Sequence, residues 1–259
     1  MKKLKFLGIG SAFYPHFDNT GAFFTYNEDF YLIDCGESVF KKIWNLKEMK
    51  ESKNIFILIT HFHCDHVGSL GSLISYLYLK MNKIPYIIHP TEKIKEYLKV
   101  VGIEDKFYIY ENMLPEISQI KNNHVEVKHV DDMVCYGYEI IFPEEIIYYS
   151  GDAVDIPEKI LKKYFEGEIK EIYQDTCSYK SKNPSHGNIF DLEEKIPYEK
   201  RKNVYCMHLE RDFRDKIIEK IWGWEASDNL LDSTIKKIRQ KLGKEKIKTV
   251  REIGYILKI

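Results

Sequence analysis

The chain has 259 residues, 44% of them apolar and 31% charged, and a formal net charge of −1. That is enough apolar material for one large core with a small appendage, and too balanced a charge for a chain that acts as a polycation along its whole length. Cysteines 35, 64, 135, 177 and 206 form no C-x-x-C pair and no disulfide framework, so reduced thiols in the cytoplasm are expected. The charged start Met1–Phe6 is followed by no sustained apolar stretch, which predicts neither a signal peptide nor a membrane span.

In chain order, Phe6-Leu7-Gly8-Ile9-Gly10-Ser11 opens a pair of short strands joined by a glycine-bearing turn. No dinucleotide-binding helix follows this G-x-G, which excludes a Rossmann reading. Leu32-Ile33-Asp34-Cys35-Gly36-Glu37 ends a strand, with Asp34 and Gly36 marking a turn into a helix. Asn54–Thr60 is β-branched, apolar and too brief for a helix, so it reads as a buried strand. Its carboxyl end delivers His61-Phe62-His63-Cys64-Asp65-His66, which holds three of the chain's nine histidines. Two imidazoles one residue apart can close on one cation, and Asp65 with His66 can reach a second; such ligands suit zinc or a similar divalent ion. A helical pattern then runs from Val67 to Leu77, and lysines and glutamates recur at helical spacing between Thr91 and Asn123. His16 and His89 read as structural or peripheral.

The segment Thr60–His66 resembles the H-x-H-x-D-H signature of the metallo-β-lactamase fold. That resemblance implies an α/β (α+β) αββα sandwich, with two mixed sheets back to back, helices outside and a metal cleft at one edge. It also implies further ligands. His129, in VKHVDDMVCYGYEI, matches the next histidine, although His124 lies five residues away and competes for the role. Asp152, after the strand Ile146–Tyr149 and the small pair Ser150-Gly151, matches the bridging aspartate, and His208, ending NVYCMH, matches the last histidine. One ion would take His61, His63 and His129, the other Asp65, His66 and His208, with Asp152 between them. Two such ions, zinc or alternatively manganese, sit roughly 3.5–4 Å apart in dinuclear hydrolases, where they generate a hydroxide and neutralise phosphate oxygens. Asp65 and His186, the latter in NPSHGNIFD, are the expected catalytic side chains.

The amino-terminal run, with Asn19-Thr20-Gly21-Ala22 and the Asp34–Glu37 turn, is similar to the ribonuclease Z branch of that fold. Ribonuclease Z enzymes carry a long basic arm for tRNA; here only 23 residues separate His129 from Asp152, room for one hairpin. The resemblance is therefore to an armless group of phosphodiesterases, which includes phage anti-Pycsar proteins, and it implies a small phosphodiester such as a cyclic nucleotide. The alternatives are a carbonyl-ester, thioester or lactone hydrolase on the same metals, or a metal-dependent DNA-binding regulator.

From Arg211 onward there are 13 lysines and arginines against 8 acids, a net +5, leaving −6 before it. Ile217–Gly223 and Asp232–Leu242 read as helices, and Lys246–Arg251 with Gly254–Ile259 as a hairpin. LLDSTIKKIRQKLG and IKTVREIGYIL resemble the recognition helix and wing of OmpR-type DNA-binding domains. The expected division is a hydrolase domain over 1–210 and a partial winged-helix-like tail over 211–259. Lys236, Lys237, Arg239 and Lys241 would face DNA if the tail reads it. Packing on the hydrolase, or on a second subunit of a homodimer, is the favoured role, because the first helix and leading sheet of such a domain are missing.

Overall fold

The computed structural model describes residues 4–182 and 184–210, together with the backbone of Ile247–Val250 and Gly254–Leu257. The two expected tail helices and their four basic side chains lie outside the described residues. The expected hairpin is present over Ile247–Val250 and Gly254–Leu257.

Among the described residues eleven strands form two sheets. The first holds β1 (Lys5–Gly8), β2 (Gly21–Tyr26), β3 (Asp29–Ile33), β4 (Ile55–Leu58), β5 (Tyr86–Ile88) and β6 (Ile109–Glu111), in that spatial order. The second is ordered β11-β10-β9-β8-β7, from β7 (Lys121–Val130), β8 (Met133–Ile141), β9 (Ile146–Tyr149), β10 (Ile169–Asp175) and β11 (Val204–Met207). A separate antiparallel pair joins β12 (Ile247–Val250) to β13 (Gly254–Leu257). Helices α1 (Val39–Ile43), α2 (Lys47–Glu51), α3 (Cys64–Val67), α4 (Leu70–Met81), α5 (Lys93–Val100), α6 (Glu158–Glu166) and α7 (Ile189–Lys195) complete the αββα order.

Period-two alternation sorts the core into layers. Phe30 and Leu32 of β3 pack outward with Leu73, Ile74 and Leu77 of α4 and with Ile94 and Leu98 of α5. Tyr31 and Ile33 of the same strand face the second sheet and meet Tyr138, Ile140 and Tyr149. The far side of the second sheet packs Tyr148 and Ile172 against Ile160 of α6 and Leu192 of α7. All four side chains of β4 are buried, because the strand is covered on both faces.

The pairing direction places the functional edge. Strands β3, β4, β5 and β6 are parallel, as are β9, β10 and β11, so their carboxyl ends collect on one side. The strand expected over Asn54–Thr60 is shorter, because at Thr60 the backbone N–H turns to the Asp34 carboxylate. The helix expected from Val67 is broken into α3 and α4. Gly68 and Ser69 form the break, and the Ser69 hydroxyl donates to the Gly36 carbonyl at 2.5 Å.

Candidate metal centre

Five strand ends supply the site. Asp34 follows β3, His61 and His63 follow β4, Asp152 follows β9, Asp175 ends β10 and His208 follows β11. His129 comes from β7, where Val125, Val127 and His129 alternate inward and His124 points out. Three positions need uncommon backbone: Asp34 has φ +61°, and Gly151 has φ +60°, where a Cβ would lie 2.8 Å from the Tyr136 carbonyl oxygen. His208, at φ +59°, holds the left-handed conformation without that exemption.

His61, His63, His129 and Asp152 form one group, and Asp65, His66, Asp152 and His208 another; within each, one ligand atom per residue lies within 4.8 Å of all the others. In the first, His63 Nδ1 is 2.9 Å from His61 Nε2 and 3.1 Å from His129 Nε2. In the second, His208 Nε2 is 3.1 Å from an Asp65 oxygen and His66 Nε2 is 3.3 Å from the same atom. Asp152 joins the groups: its Oδ2 is 3.7 Å from His61 Nε2 and 3.4 Å from His208 Nε2, and its Oδ1 is 3.2 Å from His66 Nε2. All seven side chains expected from the sequence are thus brought together, while His124, His16 and His89 are not among them.

The donor set fits divalent cations. Imidazole nitrogens and carboxylate oxygens in this mixture are the ligands zinc prefers. His66 Nε2 is buried and has no hydrogen-bond partner, an orphaned polar atom that a cation held by the group would satisfy. The rings are also aimed from behind, as ligating histidines require. His66 Nδ1 donates to Asp34 Oδ2 at 2.9 Å, His129 Nδ1 to the Ser185 carbonyl at 2.7 Å, and His61 Nδ1 lies 3.0 Å from the Thr60 hydroxyl. That hydroxyl in turn donates to Asp34 at 2.9 Å.

Electrostatics reveal the same design. Burial should lift the Asp152 carboxyl, but the surrounding His208 and His66 outweigh it and hold it well below the usual range. Burial should depress His208; Asp152, Asp175 and Asp65 reverse that and push it up to about 10. His61, with no carboxylate so close, is held well below its ordinary value by burial and by the neighbouring His66. The carboxylates therefore draw protons onto His208 and, through Asp152 and Asp34, onto His66, and cations would take the place of those protons.

Asp175 is the residue the sequence reading missed. It is fully buried; its Oδ2 accepts from His186 Nδ1 at 2.7 Å and from the Ala153 N–H at 3.1 Å. The available signal was its place at the end of the run Ile172-Tyr173-Gln174, just before the small residues Thr176, Cys177 and Ser178. His186, with its side chain 26% exposed, stacks on His208 at 4.9 Å between ring centroids and lies 5.1 Å from the His129 ring. Burial would lower His186, but Asp175 outweighs it and the net shift is upward.

Comparison with known proteins agrees with this architecture. The family described as "Anti-Pycsar protein Apyc1" matches residues 2–99 and 89–221, and "Transcriptional regulatory protein, C terminal" matches residues 213–257. An Anti-Pycsar protein Apyc1 of Paenibacillus harenae is 25% identical over 220 residues, covering 79% of this chain and 88% of the relative. The metallo-β-lactamase fold protein YhfI of Bacillus subtilis superposes with a TM-score of 0.64 at 15% identity, over 85% of this chain and 92% of its own. The short form of human tRNase Z superposes with a TM-score of 0.63 at 17% identity, over 82% and 94%. With its two back-to-back sheets, its ligand-bearing strand ends and a family match over most of its length, the chain belongs to the Anti-Pycsar protein Apyc1 family and has the metallo-β-lactamase fold.

Proposed function

We propose that this chain, a metal-dependent hydrolase by family, cleaves a small phosphodiester such as a cyclic nucleotide. His61, His63 and His129 would hold one divalent ion, Asp65, His66 and His208 a second, and Asp152 would bridge them. The observation that carries this reading is the place of Asp152, whose two oxygens face histidines of both groups. Zinc or manganese there would supply Lewis acidity for the phosphoryl oxygens and an acidified water.

The chain's own groups handle protons and orientation. Asp65, whose Oδ2 lies 3.1 Å from His208 Nε2, is the carboxylate placed to accept a proton from the attacking water. As the water oxygen bonds to phosphorus, the ester P–O bond breaks and its oxygen leaves with a proton. His186 can supply that proton from Nε2, because Nδ1 is committed to Asp175. The relatives' names and the half-buried His186 beside the ligand groups support a phosphodiester over a thioester or lactone. Turnover of bis-p-nitrophenyl phosphate, cyclic nucleotides and a thioester panel by metal-loaded enzyme tests this; hydrolysis of the thioesters alone would sink it.

Residues 1–210 would form the hydrolase unit and 211–259 a tail with the ancestry of a winged helix, as its match to a transcriptional-regulator family supports. Packing on the hydrolase or within a homodimer is the role proposed for that tail, in preference to duplex binding. Among the described residues no helix is long and apolar enough to cross a membrane, in keeping with the cytoplasmic location proposed.

A further inference from the structure

The loop between β1 and β2 spans the flank of the second ligand group. Its first half is tied to the His208 strand end: Leu209 N donates to the Ile9 carbonyl at 2.6 Å, and Ser11 N to the Leu209 carbonyl at 3.0 Å. Its second half lies beside Asp65. Asn19 and Ser38 exchange two backbone-to-side-chain hydrogen bonds of 2.8 Å, and a Cβ added at Gly36 would stand 1.9 Å from the Asp65 carbonyl oxygen and 2.8 Å from Asn19 Cβ. One loop thus runs from His208 to Asp65, two members of one ligand group.

Under it lies a cavity of about 220 Å³, lined by Ala12, Pro15, Asp18, Asn19, Glu37 and Ser38. The lining has two carboxylates and no cation. Lys42 is already ion-paired with Asp18 and donates to the Leu7 carbonyl. A phosphate anion placed there would be repelled, whereas sugar hydroxyls and base N–H groups would find acceptors. Between Ala12 and Pro15 in the chain stands Phe13, whose side chain is 89% exposed. The loop itself is held, since Gly10 N donates to the Asp18 carbonyl at 2.8 Å and Phe17 N to the Tyr14 carbonyl at 3.0 Å. A fixed loop that keeps an aromatic face in water beside a catalytic cleft offers a stacking surface.

We propose that this cavity and Phe13 form the subsite for the neutral, nucleoside end of the substrate, with the base stacked on Phe13 and the phosphate over the ligand groups. The inference rests on the phosphodiester reading above. It is tested with metal-loaded full-length enzyme on a purine and a pyrimidine 3′,5′-cyclic nucleotide, and on 3′,5′-cyclic 1-deoxyribose phosphate, the same diester without a base. Phe13→Ala should raise KM for both nucleotides roughly tenfold, leave kcat within about twofold and spare the base-free diester. Phe13→Trp should restore the lost affinity. An active wild type whose nucleotide KM is unmoved by Phe13→Ala, or moved equally for the base-free diester, overturns the subsite alone. A wild type idle on every diester overturns the phosphodiester reading and the subsite with it.

Discussion

Asp34 stands behind His66 with Oδ2 2.9 Å from Nδ1, and through the Thr60 hydroxyl the same carboxylate reaches His61, so one buried acid backs a histidine from each ligand group. Burial raises its carboxyl pKa and His66 works against that rise, with the net shift upward. Asp34 has φ +61°, a conformation asparagine tolerates well, so Asp34→Asn removes the charge with little backbone penalty. We expect metal affinity to fall roughly 10- to 100-fold while the metal-free protein still folds, with a lowered thermal midpoint from the broken pair with His66. Chelator competition measures the first and calorimetry the second. Unchanged affinity with a lowered midpoint would make Asp34 a purely structural residue.

Asp152→Ala removes the carboxylate common to both groups. Wild-type protein should carry two divalent ions per chain by elemental analysis, and the variant should lose or scramble both positions. One tightly held ion that persists in the variant would defeat the bridged assignment.

His186→Ala should lower phosphodiester turnover by roughly 100-fold or more with metal content unchanged, as expected for a positioned acid that is not itself a ligand. Asp175→Asn should act in the same direction, since its carboxylate sets the orientation of His186. Because Asp175 holds His186 above its ordinary pKa, the descending alkaline limb of the rate profile should move to lower pH in Asp175→Asn. A small loss in His186→Ala would return that histidine to a surface role.

His89 gives a stability test outside the ligand groups. Burial, only partly offset by a hydrogen bond to Thr91, lowers it from 6.5 to about 4, and its ring packs against Phe62 at 4.8 Å. Between those two values the unfolded chain binds more protons than the folded one, so stability falls as pH falls from 6.5 toward 4. His89 should account for about 2 kcal/mol of the loss between about pH 7 and about pH 5. Urea unfolding of wild type and His89→Gln at both pH values checks this. Equal losses in the two proteins would refute the assignment.

Replacing Lys236, Lys237, Arg239 and Lys241 with glutamine should leave duplex-DNA binding and its salt dependence nearly unchanged if the tail is a packing or dimer element. Filter binding across a salt series decides. Salt-sensitive, sub-micromolar binding by the wild type, abolished in the variant, would instead establish the tail as a reader of DNA.

The sequence by itself determined the local half of the site. His61, His63, Asp65 and His66 sit within six residues after a buried strand, and chain connectivity holds them together whatever the rest of the fold does. Small residues before Asp152 and the apolar run before His208 likewise mark strand ends. What joined those ends was the parallel pairing of β3 with β4 and of β9, β10 and β11, a long-range choice that no local pattern encodes. The same pairing brought Asp175 beneath His186 and turned Asp34, which reads in sequence as a turn residue, into the backing of two histidines. The choice between His124 and His129 was decided by strand alternation. Val125, Val127 and His129 are buried and alternate with exposed Glu126 and Lys128, while His124 is exposed. Tertiary structure settles such matters because side-chain direction on a strand is fixed by its pairing partners, and those lie far away in sequence.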